Sequence, residues 1–221
     1  MTMKAVLISI QPKWVEKIAN GEKTIEVRKT APKQVPFKGY IYCTKSTRAH
    51  MFHLYINDGI GRQNFGITGH WRSGKKVVGV NPHLPAYRYN SYLAEGKVIG
   101  EFVCDKAIKT CGWRLRGDTQ QCAKRTTDEE TFPELACLTI DDIVKYAGSE
   151  NREVCGLHIT DLKIYDKPKE LSEFERPCSY KGICYSCKRF RPNGIPLPAP
   201  YGFCEAKITR VPSNWQYVEE L

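Results

Sequence analysis

Long apolar runs are missing from this chain: no segment approaches the roughly 18 apolar residues that a membrane-spanning helix needs. The apolar run near the start, Ala5 to Ile10, is too short for a secretion-signal core and lacks a small-residue cleavage site. The expected location is therefore cytoplasmic, with no membrane partner. Acidic residues are scarce relative to basic ones, 24 against 34, which leaves a formal charge of +10. Such an excess favours polyanions such as nucleic acid or nucleotides. Internal repeats and low-complexity tracts are absent too. With 41% hydrophobic and 26% charged residues, the composition excludes wholesale disorder, and 221 residues suit one substantial domain or a domain with an appendage.

The basic excess is unevenly spread. Between Thr44 and Lys97, eight basic residues face only Asp58 and Glu95, and seven aromatics and four of the five histidines lie there as well. Cations track phosphates while aromatic rings stack on bases, so such a mixture suits a single-strand or nucleotide groove. It equally suits an insertion with its own small aromatic core. Gly, Asn and Pro break every apolar run in it, which predicts a loop-rich insertion over 44–97.

Elsewhere the periodicities are clearer. Lys4 to Ile10 reads as a strand, and Gln11 to Ala19 as a short helix with Pro12 in its first turn and Trp14, Val15 and Ile18 on one face. Asn20-Gly21 stops it. Thr24 to Arg28, Lys38 to Cys43, Val98 to Ile108 and Val154 to Tyr165 read as strands. Ile140 to Ala147 reads as a helix with Thr139 as N-cap and Gly148 as its stop. Strands outnumber helices at irregular spacing, which predicts an α+β or barrel-like fold over a doubly wound sheet. The expected division is a domain over 1–173 and a cysteine-rich extension over 174–221.

That extension is poor in core-forming residues and needs a staple. Cys178, Cys184, Cys187 and Cys204 are spaced x5, x2 and x16. In a cytosolic chain this pattern points to metal, and four thiolates complete the tetrahedral shell of structural zinc. An iron-sulfur cluster would use the same ligands, and a redox pair at Cys184 and Cys187 or four reduced thiols are the alternatives. The other six cysteines have no metal-like spacing, and buried inert thiols are the expected role of Cys43, Cys104 and Cys155.

The stretch "GEKTIEVRK" carries the strongest functional signal. On a strand, Ile25 and Val27 project towards a core while Thr24, Glu26 and Arg28 share the opposite face. Lys13 and Trp14 on the preceding helix are placed to wall a shared cleft. The pattern Gly21-x-Lys23-x-x-Glu26-x-Arg28, following a strand and "QPKWVEKIAN", resembles the signature of the ASCH domain, a branch of the PUA-like superfamily. The blocks "GYIYCTK", "HITDLKIYDKPKELSEF" and "PSNWQYVEE" are similar to ASCH proteins of phages and prophages of Gram-positive bacteria.

This resemblance implies a small β-barrel with flanking helices and a cleft where Lys23, Glu26 and Arg28 converge to bind RNA, a nucleotide or a modified nucleobase. Arg28 or Lys23 would grip a phosphate or base acceptor, Glu26 would accept from an amine, and Trp14 would stack. His158 is a further candidate for the cleft. A host protein, engaged through the tail, is a possible partner for a phage protein.

Some ASCH proteins are ribonucleases, and others are amidohydrolases acting on N4-acetylcytidine. The latter use a lysine at the position of Lys23, a threonine three residues later and a downstream glutamate. Here the threonine position is Glu26, and a carboxylate does not replace a hydroxyl that a base must activate. Thr24 carries a hydroxyl on the same strand face. Glu101 and Glu134 are the downstream glutamates, so Lys23, Thr24, Glu26 and Glu101 are the catalytic candidates of this alternative, a hydrolase.

Overall fold

A nearly continuous buried run forms the first strand of the computed structural model, which describes residues 3–45, 53–55, 77–79, 91–117, 126–177 and 207–221. In chain order the elements begin with β1 (Lys4–Ile10), α1 (Pro12–Ala19), β2 (Ile25–Arg28), β3 (Phe37–Cys43), β4 (His53–Tyr55), β5 (Val77–Gly79), β6 (Ser91–Leu93) and β7 (Val98–Cys104). They continue with β8 (Ala107–Thr110), α2 (Gly112–Arg116), α3 (Thr127–Leu135), α4 (Ile140–Ala147), β9 (Val154–His158), β10 (Thr160–Lys169) and β11 (Trp215–Val218).

A five-stranded sheet runs in the order β10-β7-β3-β1-β11, with β1 and β3 parallel and the other pairs antiparallel. A three-stranded antiparallel sheet, β2-β9-β8, lies apart from it in the pairing. Both faces of the large sheet are buried, which explains why β1 is apolar almost throughout. Val6, Ile8, Ile10, Phe37, Ile41 and Phe102 pack with Val15 and Ile18 of α1 and with Leu157 and Ile159. Ala5, Leu7, Tyr40 and Tyr42 pack on the other side with Tyr165, Phe174 and Ile208. A third cluster joins Ile25 and Val27 of β2 to Leu115, Phe132, Ala136, Ile143 and Ala147, so α2, α3 and α4 cover the far side of the small sheet.

The architecture is therefore a mixed α+β fold with a core built mostly of sheet. Among the described residues the strand pairings form open sheets and do not close into a barrel, unlike the ring that the resemblance implies. Two expected single strands are each divided. Val98 to Ile108 turns at Asp105-Lys106 and passes from the large sheet to the small one, and Val154 to Tyr165 passes back at Ile159. At that second crossing the Ile159 N–H donates to the Thr24 carbonyl at 2.8 Å and the Thr160 hydroxyl to the Val103 carbonyl at 2.9 Å. The first crossing is a two-residue turn, and the second is followed by Asp161 at φ +47° with a register shift before Lys163; neither break carries a Gly or Pro, so apolar periodicity shows no trace of them.

Both ends of α4 match the sequence reading. Thr139 accepts from the Asp142 N–H, the Asp142 carboxylate accepts from the Thr139 N–H, and Gly148 closes the helix at φ +101°. Two helices were not anticipated. The short α2 falls in a segment given no element by the sequence reading, and α3 carries Pro133 within it, although Thr126 and Glu129 form a capping box at its start. Trp215 and Tyr217 pack partly buried against the main core and form a strand beside β1.

The 44–97 segment contains a small antiparallel sheet, β5-β4-β6. Most of that segment's cations and aromatics lie outside the described residues, as do Cys178, Cys184, Cys187 and Cys204. No helix among the described residues is long and apolar enough to cross a membrane.

Candidate functional site

The short β2 strand has two different faces. Ile25 and Val27 are held by the helical layer, and this fixes Glu26 and Arg28 on the opposite side. Lys23 precedes the strand, where Gly21 at φ +74° turns the chain out of α1 and the Lys23 N–H bonds back to the Lys17 carbonyl at 3.1 Å. All three charged side chains are buried, at 2% exposure for Lys23, 5% for Glu26 and 8% for Arg28.

They form one chain of contacts. Glu26 Oε1 lies 3.0 Å from Arg28 Nη2, and Glu26 Oε2 lies 3.5 Å from Lys23 Nζ. Lys23 Nζ also donates to the Ala136 carbonyl at 2.6 Å, and Arg28 Nη2 donates to the Ser9 carbonyl. Two cations and one carboxylate leave a net positive charge in a low-dielectric setting. Burial accordingly pulls the Lys23 ammonium below its ordinary value, and the neighbouring Glu26 offsets part of that effect.

These residues line a cavity of about 780 Å³, within the range of roughly 300–1,000 Å³ usual for small-ligand sites. Ser9 and Gln11 enter from the end of β1, Lys13 and Trp14 from α1, and Asp142, Lys145 and Tyr146 from α4. Residues Val211 to Ser213 close another side, tied down where the Ser9 hydroxyl donates to the Pro212 carbonyl at 2.7 Å. Two ammonium groups stand over the Trp14 ring, Lys13 Nζ at 4.4 Å and Lys23 Nζ at 5.1 Å from its centroid.

Hydrogen bonding inside the cavity is incomplete. Glu26 Oε2 and Arg28 Nε are buried and have no hydrogen-bond partner within the protein. Buried polar atoms are almost always paired, because leaving one unpaired costs about 1–3 kcal/mol. An acceptor and a donor left open in one cavity define a place for a ligand edge that presents the complementary pair. Metal binding fits this lining poorly, since its carboxylates, Glu26 and Asp142, are each engaged by cations or a helix cap.

The sequence-derived candidates thus divide. Lys13, Trp14, Lys23, Glu26 and Arg28 converge on the cavity. Thr24 lies outside its lining: its N–H donates to the Leu135 carbonyl at 2.9 Å and its carbonyl accepts from Ile159. His158 lies outside as well, with Nδ1 2.7 Å from Asp105 Oδ1 in the turn between β7 and β8. Glu101 sits in the large sheet, accepting from the Tyr165 hydroxyl at 2.6 Å, and Glu134 is exposed on α3. Sequence reasoning missed Ser9, Asp142, Lys145 and Tyr146. The last three recur at helical spacing opposite the apolar stripe of α4, a signal that marks a polar face without saying what it faces.

Fold and site together define an α+β protein with a sheet core and a buried lysine-glutamate-arginine triad opening into a cleft. Solved structures to which the chain is similar are those of ASCH from Zymomonas mobilis. The protein itself gives a TM-score of 0.41 at 14% identity, over 76% of this chain and 74% of that one. A tyrosine-to-phenylalanine mutant of it gives 0.46 at 13% identity, over 99% and 92%. A serine-to-alanine mutant gives 0.36 at 15% identity, over 76% and 75%. No family model matches the chain, and no curated protein matches it.

Proposed function

We propose that this chain is an ASCH-type, PUA-like module that binds nucleic acid or a nucleotide, taking an RNA base or a modified nucleobase into the Lys23-Glu26-Arg28 cleft. One observation carries the reading: a buried acceptor, Glu26 Oε2, ion-paired with Lys23 at 3.5 Å, and a buried donor, Arg28 Nε, both lack a hydrogen-bond partner within the protein in the cavity that Trp14 also lines. Base edges present donors beside acceptors, and base faces stack on indole. The cations at the cleft favour a polyanionic strand over a neutral amide ligand.

RNA capture at low and moderate salt tests it, comparing wild type with Lys23→Ala/Arg28→Ala and with the milder Glu26→Gln. Loss of RNA by both variants, each folded by circular dichroism, is the expected result. Equal retention by all three proteins rejects the cleft.

Hydrolysis of a modified nucleoside or of RNA is the second reading, and the destabilised ammonium of Lys23 is what favours it. Incubation with N4-acetylcytidine and with total RNA separates the two, since a binder leaves both unchanged. For the tail, a structural zinc held by Cys178, Cys184, Cys187 and Cys204 follows from their spacing alone. About one zinc per chain, lost in Cys184→Ser, is the expected metal content; a metal-free wild type refutes it.

A further inference from the structure

The interior and the rim of the cleft differ chemically, and the difference orients whatever enters. Deep in the cleft, Glu26 Oε2 stands 3.5 Å from Lys23 Nζ and has no hydrogen-bond partner, so it is open to accept from a base N–H, while its carboxylate repels phosphate. At the rim the pattern reverses. Asp142 is capped by the Thr139 hydroxyl and N–H, and Lys13 and Lys145 stand close enough to stabilise its charge. Both lysines line the cavity, and neither ammonium is buried as that of Lys23 is.

The rim is also where apolar surface is left open. Tyr146 is 39% exposed and Val211 41%, and these two of the exposed large hydrophobic side chains both line this cavity. Tyr146 follows Lys145 on α4, and Lys29 Nζ lies 5.5 Å from its ring centroid. An exposed tyrosine flanked by lysines has the composition of a stacking platform for a base whose phosphate is held beside it.

Resting on the binding function proposed above, we infer that the ligand is a single strand that enters base first. One base descends to Glu26 and Arg28, its backbone stays at the rim between Lys13 and Lys145, and the adjoining nucleotide stacks on Tyr146. The recognised unit is then at least a dinucleotide, and the phosphate between the two bases contributes at the rim and never reaches the triad.

The test measures fluorescence-anisotropy or calorimetric affinities for the four ribonucleosides and for trinucleotides of each base. Each trinucleotide is used in ribo and deoxyribo form to identify the source of the strand. In wild type, a trinucleotide carrying the base preferred by the cleft should bind at least about tenfold tighter than its nucleoside, as base stacking and phosphate contact together require. The readout is this ratio. It should shrink to within about threefold in Tyr146→Ala and survive in Tyr146→Phe, which keeps the ring. Tyr146 is exposed, so both variants should fold. If nucleoside and trinucleotide bind equally in wild type, or if Tyr146→Ala keeps the full ratio, the rim platform is wrong while the cleft stands. If neither probe binds, the cleft assignment fails and the platform with it.

Discussion

Glu26 is the hinge of the site, because among the described residues it is the one carboxylate touching both Lys23 and Arg28. Removing it leaves two buried cations facing each other. Glu26→Ala should therefore lose about 3–5 kcal/mol of stability, read from the midpoint of urea unfolding; an unchanged midpoint would mean the triad is not structurally coupled. Lys23 adds a pH signature. Its folded-state pKa lies below the ordinary 10.5, so between those two values the unfolded chain binds more protons and stability rises with pH. The penalty of the charged form is complete below the folded pKa and gone above 10.5. Urea midpoints of wild type should gain on those of Lys23→Met between neutral pH and pH ~10, and parallel profiles would contradict the burial effect. This much of the site was legible because period-2 alternation and one preceding helix place Trp14, Lys23, Glu26 and Arg28 locally. His158 and Glu101 were misplaced because the side chain of a strand residue meets whatever the fold brings beside it, the turn residue Asp105 for His158 and Tyr165 of the adjacent strand for Glu101.

At the scale of elements, the cleft is only as fixed as β2, β9 and α4. Gly156 sits in β9 opposite Val27 of β2 and Ile108 of β8. A Cβ added there would lie 2.3 Å from the Phe132 ring and 2.7 Å from Ile25 Cγ2. Gly156→Ala should cost about 1–3 kcal/mol through overpacking and weaken ligand binding as β2 shifts; calorimetric unfolding with a parallel RNA titration measures both. The other wall depends on the capping box of α4. Thr139→Ala frees the Asp142 N–H and should cost about 1 kcal/mol, with a matching drop in thermal midpoint. Caps and stripes made α4 readable, since they are local. The divided strands were not, because β7 passes into β8 through Asp105-Lys106 and β9 into β10 at Ile159, breaks that carry no Gly or Pro and leave the apolar pattern unchanged. The small sheet that supports β2 exists only through those two crossings.

For the whole molecule, the question is how much of the +10 charge reaches the ligand. The cavity lining holds four cations, Lys13, Lys23, Arg28 and Lys145, against Glu26 and Asp142. Lys23 and Arg28 are neutralised in part by Glu26 and anchored by backbone carbonyls, so they answer to a base more than to a phosphate. In the proposed binding mode phosphate contact at the cleft falls to Lys13 and Lys145, and each phosphate neutralised on a single strand contributes about −0.7 to the slope of log affinity against log salt. Affinity for a ten-nucleotide single-stranded RNA, measured by anisotropy across a salt series, should therefore lose about 1.4 units of slope in Lys13→Ala/Lys145→Ala. A substantial slope should remain in that double variant, because +6 of the charge belongs to the stretch from Thr44 to Lys97, which includes neither the triad nor Lys13 and Lys145. A slope that vanishes with the two rim lysines would confine recognition to the cleft. One that does not change at all would move phosphate contact elsewhere on the molecule.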